Sequence, residues 1–157
     1  MQEKNTSERY LLDAYLGEIS GESTFRALVG TLPERASDLH MLAEVERVTA
    51  VYLSHHLLSP VSTEAVASCR AEAKRQVAAM GIDSWAAFLE GATPIVEQAL
   101  EELKAAEAQA PKALLEVYQT YTAHEQALAD YLRLERDGNG GAHVLENYIE
   151  RVVPRVS

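Results

Sequence analysis

The segment LAEVERVTAVYL, residues 42–53, decides the fold class. Leu42, Val45, Val48, Thr49, Tyr52 and Leu53 recur at three- and four-residue intervals, the period of one face of an α-helix. Leu39 extends the stripe backward and His56 extends it forward. A half-buried strand would alternate at every second residue, and this stretch does not. Within the stripe stands Glu46, a carboxylate on a face that should be apolar. His40, Glu44 and Arg47 fall on another face and read as a solvated cluster at helical spacing.

Working outward, stop signals divide the rest of the chain into further helices. Gly30-Thr31-Leu32-Pro33 separates a first helix over about residues 8–30 from the second over about 34–57. Ser59-Pro60 ends the second, and Ser62 or Thr63 can cap a third running to about Met80. After a turn at Gly81-Ile82-Asp83, Asp83 is expected to cap a short piece carrying Trp85, Phe88 and Leu89. Thr93-Pro94 reads as an N-cap followed by proline at the first helical position, opening a new helix to about Gln109. Pro111 opens the longest late helix, to about Arg136. The glycine-rich run Asp137–Gly141 is a loop, followed by an amphipathic helix with Val144, Leu145, Tyr148, Ile149 and Val152 that Pro154 ends. Short links between long amphipathic helices imply antiparallel neighbours. The expectation is an all-α chain, an up-down four-helix bundle with accessory short helices. It forms one domain over 1–157, with the core bundle at about 8–137 and an accessory helix at about 142–153.

Composition removes several function classes. With a net charge of −10 and no stripe of Lys and Arg, the chain lacks the footprint of a nucleic-acid surface. No run of apolar residues is long enough for a membrane span, and the polar stretch Met1–Arg9 does not read as a signal peptide. The single Cys69 leaves no intramolecular disulfide and no paired-cysteine zinc motif. A cytoplasmic location is the expectation that fits these features. No serine, cysteine or lysine has a recognisable base partner, and no glycine-rich phosphate loop is present.

What remains is a set of polar residues on faces that should be buried. In the first helix the best stripe is Leu11, Tyr15, Glu18, Glu22, Phe25 and Val29, with two carboxylates inside it. In the late helix Tyr121 and Leu128 mark the centre of the apolar face, with His124 and Glu125 on either side. Ionised groups are rarely buried without compensation, and carboxylates converging from several helices with histidine can obtain it from a metal cation. Counting from the turn near residue 32 at 1.5 Å per residue, Glu22 and Glu18 lie roughly 15 and 21 Å down one helix, and Glu46 roughly 21 Å down the next. About the turn near residue 110, Glu97 and Glu125 lie at roughly equal heights of 20 Å.

In the segments GEISGESTFRAL (17–28), LAEVERVTAVYL (42–53) and YTAHEQALADYLRLERDG (121–138) the chain resembles the ferritin-like, rubrerythrin-type superfamily of carboxylate-bridged di-iron or di-manganese bundles. The resemblance implies Glu22 or Glu18 as the first-helix ligand and Glu46 as the bridging carboxylate of the second helix. It implies Glu97 from the third helix, and Glu125 with His124 from the fourth. The family carries Glu-x-x-His on its second and fourth helices, and here both motifs are broken. Thr49 stands three residues after Glu46, Tyr121 three before His124, and Leu128 three after Glu125.

Three readings follow. The first is a ferritin-like protein binding iron or manganese through Glu18, Glu22, Glu46, Glu97, His124 and Glu125, either an oxidoreductase or a metal-handling protein. The second is a metal-free helical interaction or scaffold protein whose inward polar residues form a network that fixes helix register. The third is a bundle with a mononuclear metal-dependent transfer site of the kind built from scattered histidines, using His40 and His124, although Leu128 stands where such a site would have a second late-helix histidine. His143 and the last helix are open to two roles, a homodimer contact or a lid.

Overall fold

The computed structural model describes residues 2–155, and it is all-helical, with no strand among the described residues. Six α-helices follow one another: α1 (Gln2–Leu28), α2 (Ala36–Ser54), α3 (Thr63–Met80), α4 (Trp85–Ala108), α5 (Leu115–Arg136) and α6 (Ala142–Val152). Short 3-10 turns at Pro33–Arg35, Lys112–Leu114 and Val153–Arg155 lie at the proline-bearing junctions. No helix among the described residues is long and apolar enough to cross a membrane.

Contacts divide the chain into two compact groups, one reaching to Gly81 together with the residues from Val152 onward, the other spanning Ile82–Arg151. In the first, α1 packs on both α2 and α3. The α1–α2 turn is held by Leu32, whose N–H donates to the Leu28 carbonyl at 2.8 Å and whose side chain is buried. The buried line of α2 runs Leu39, Leu42, Val45, Glu46, Val48, Thr49, Tyr52 and Leu53, a continuous helical stripe. On α1 the buried residues are Leu11, Ala14, Glu18, Ile19, Ser23 and Leu28. The face therefore passes beside Glu22, Phe25 and Val29, which are only half-buried, and differs from the expected stripe in its second half. Helix α3 buries little beyond Ala73 and Val77, and Ser62 caps it by accepting the Ala65 N–H at 3.1 Å.

The second group is built on α4 packed against α5. Here one expectation is corrected. Asp83 does not cap a separate short piece, and Thr93-Pro94 does not open a new helix: α4 runs unbroken through both. Ser84 is the cap, accepting the Ala87 N–H at 3.2 Å, so the helix has begun before Thr93 is reached. The Thr93 hydroxyl turns back and donates to the Leu89 carbonyl at 2.7 Å. Proline inside a helix removes one ladder bond, here that of the Glu90 carbonyl, and Glu90 and Pro94 are both exposed where solvent can replace it.

Candidate metal centre

Glu18 is a residue of α1 and Glu46 a residue of α2, and both are buried, at 3% and 5% exposure. Glu22 and Glu44, on the same two helices, pair locally. Glu22 accepts from Arg26 Nε at 2.9 Å, and Glu44 accepts from Arg47 at 2.6 Å. Glu18 and Glu46 instead approach each other across the two helices, with a carboxylate oxygen of each within 4.8 Å of the other. The equal heights counted from the turn are realised, because the short link over residues 29–35 makes the helices antiparallel neighbours.

Gly21 provides the room. A Cβ placed there would stand 2.7 Å from both Cδ and Oε2 of Glu46 and 3.2 Å from its Cγ. The head of Glu46 thus lies against bare α1 backbone, in space that any other residue type would fill. Glycine within a helix costs about 1 kcal/mol relative to alanine, so its presence mid-helix calls for a local reason, and this contact is one. Thr49, standing where the resemblance expects histidine, is fully buried and donates its hydroxyl to the Val45 carbonyl at 2.8 Å. It contributes to the ladder of its own helix.

In the second group, His124 and Glu125 are adjacent residues of α5 and both are buried. His124 Nδ1 lies 3.5 Å from Glu125 Oε2, a distance for orientation more than for a short hydrogen bond. The imidazole is stacked on Tyr121, with centroids 5.7 Å apart and planes 14° apart, and Tyr148 tilts against it at 6.0 Å. Aromatic packing of this kind holds the ring in one orientation.

The remaining expected donors are placed elsewhere. Glu97 is exposed on α4, in an open cleft of about 470 Å³ that it shares with Glu90, Pro94, Glu135 and Arg136, so the inward orientation expected of it is not adopted. The buried line of α4 runs through Phe88, Leu89, Thr93 and Leu100, and Glu97 lies off it. Glu22 is at the edge of its face and engaged with Arg26. His40, the histidine of the third reading, is exposed on α2. The residue that sequence reading passed over is Gly21. Its signal was visible as a glycine within a helical run, three positions after one of the misplaced carboxylates.

No family model, no curated protein and no solved structure matches the chain. The chemistry of the donors is therefore the basis for function. Two buried carboxylates on facing helices repel one another when ionised, and oxygen donors of this kind suit hard or intermediate divalent cations.

Proposed function

We propose that this chain is a metal-binding helical protein on the ferritin-like, up-down four-helix-bundle plan, holding iron or manganese through the carboxylates of Glu18 and Glu46. The observation that carries the reading is the buried Glu18–Glu46 pair, with Glu46 seated on Gly21. A divalent cation cancels the like-charge repulsion of such a pair and replaces the water that both carboxylates have lost. Bound iron or manganese would supply oxygen or peroxide chemistry, or the protein would handle the metal itself. The chain's own residues supply oriented carboxylates and exclusion of bulk water.

The test is metal uptake by chelator-stripped protein, titrated with Mn(II) or with Fe(II) under anaerobic conditions. The wild type is expected to take up about one ion or more per chain, and Glu18→Gln and Glu46→Gln to lose most of it. Uptake below about 0.1 ion per chain in the wild type would remove the metal reading and leave the metal-free scaffold protein in its place. His124→Ala, titrated in parallel, decides whether the histidine takes part.

A further inference from the structure

We propose that Gly21 is the positioning residue of the Glu18–Glu46 pair, an inference that rests on the metal reading above. Glycine at a helix crossing usually lets two backbones approach, and the atoms nearest its missing Cβ are then backbone atoms of the partner helix. At Gly21 the three nearest atoms all belong to the Glu46 side chain: Cδ, Oε2 and Cγ. The bare patch of α1 is therefore fitted to a carboxylate and not to α2 itself.

Position also matters. Gly21 follows Glu18 by three residues, so the two lie on neighbouring parts of one α1 face about a turn apart. That face offers one carboxylate and, beside it, a recess for the carboxylate from α2. The recess limits where Glu46 can rest. Rotation of the terminal carboxyl group alone cannot relieve an added methyl group, because Cδ lies on the rotation axis and stays 2.7 Å from the Cβ position. The side chain would have to change its inner torsions, carrying both oxygens away from their present place. Ligand sets tolerate displacements of only about 0.5 Å before geometry is lost.

The experiment compares Gly21→Ala, Glu46→Asp, the double variant and Gly91→Ala, all stripped of metal and then titrated with Mn(II) and with Co(II). Gly91 is the control, a glycine within α4 whose Cβ would meet nothing within 4 Å. Gly21→Ala is expected to keep its helical circular dichroism, to lose about 10–100-fold in Mn(II) affinity and to change the visible Co(II) bands, which report ligand geometry. Gly91→Ala is expected to match the wild type in all three. Shortening Glu46 by one methylene makes room for the added methyl, so the double variant is expected to bind no worse than Glu46→Asp alone. Multiplied losses would overturn the inference.

Wild-type affinity and wild-type Co(II) bands in Gly21→Ala would overturn the positioning role while leaving the metal reading in place. A wild type that binds neither ion overturns both. If Gly21→Ala fails to fold, recovery of helical signal and Mn(II) binding in the double variant supports the role, and absence of recovery overturns it.

Discussion

Each of the two contact groups contains a glycine with no space for a side chain, and they differ in what occupies that space. At Gly141 a Cβ would meet Cδ2 of Tyr131 at 2.8 Å, its carbonyl oxygen at 2.9 Å and its Cα at 3.0 Å. At Gly21 the three nearest atoms all belong to the side chain of Glu46. The first glycine lets the loop after α5 fold back on that helix, where the Gly141 N–H donates to Glu135 Oε1 at 3.0 Å and Tyr131 is fully buried. The second lets a charged group approach a helix backbone. One serves packing, the other seats a carboxylate, and the physical difference is whether the obstacle can move.

That difference predicts the largest effect. In Gly141→Ala the added methyl group presses on backbone that is part of α5, and relief requires moving the loop or the helix. A loss of about 3 kcal/mol is expected, measured by urea denaturation. In Gly21→Ala a side chain can rotate away and helix propensity improves by about 1 kcal/mol, so stability should stay close to wild type. Equal stability of the two variants would break the comparison, because it would mean that the loop at Gly141 yields as readily as a carboxylate.

The same contrast explains how much could be read in advance. The all-helical class followed from periodicity, which backbone hydrogen bonding and burial enforce over many residues at once. The stripe on α2 was legible for that reason, and so was the inward position of Glu46, His124 and Glu125. Glu22 borders the buried face, where a rotation of a few tens of degrees decides between core and an ion pair with Arg26. Glu97 was assigned on height along its helix, which does not specify the direction of the side chain. Pro94 was read as a start because proline favours that position, yet Ser84 had already supplied a cap upstream. Gly21 could not be interpreted from sequence at all: a glycine announces missing volume, and only the neighbouring helix shows what fills it.

The next prediction tests whether the contact at Gly21 is electrically loaded. When both are ionised, the buried carboxylates of Glu18 and Glu46, with oxygens within 4.8 Å, repel one another. Glu46→Gln keeps the size and most of the hydrogen-bonding capacity while removing one charge. In chelator it is expected to be about 1–2 kcal/mol more stable than wild type. Saturating Mn(II) should reverse the order, since only the wild type gains from binding. Denaturation curves with and without the metal measure both. A variant less stable than wild type in chelator would mean that the carboxylate is already well compensated by protein groups, as the polar-network reading requires.

The smallest effect comes from Glu44, two residues before Glu46 on the same helix but on its solvated side. The hydrogen bond from Arg47 holds the Glu44 carboxyl below its ordinary value of 4.5, against a smaller opposing push from partial burial, and the charges of Arg47 and Arg26 add to the lowering. A depressed folded-state value means that the unfolded chain binds the proton more readily. The pair's contribution is therefore fully present above the unfolded value and lost as pH falls through the folded one. Both side chains are more than a third exposed, 45% for Arg47 and 37% for Glu44, so solvent screening confines the contribution to roughly 0.3–0.5 kcal/mol. Arg47→Met should show a deficit of that size at neutral pH, shrinking as the buffer is brought below the folded value and also shrinking in 1 M salt, by roughly the screening of a 3 Å Debye length. A deficit unchanged by acid or salt would assign it to packing of the arginine stem. In that event the Glu44–Arg47 pair carries no charge-dependent stability, in contrast to the charge expected to matter at Glu46.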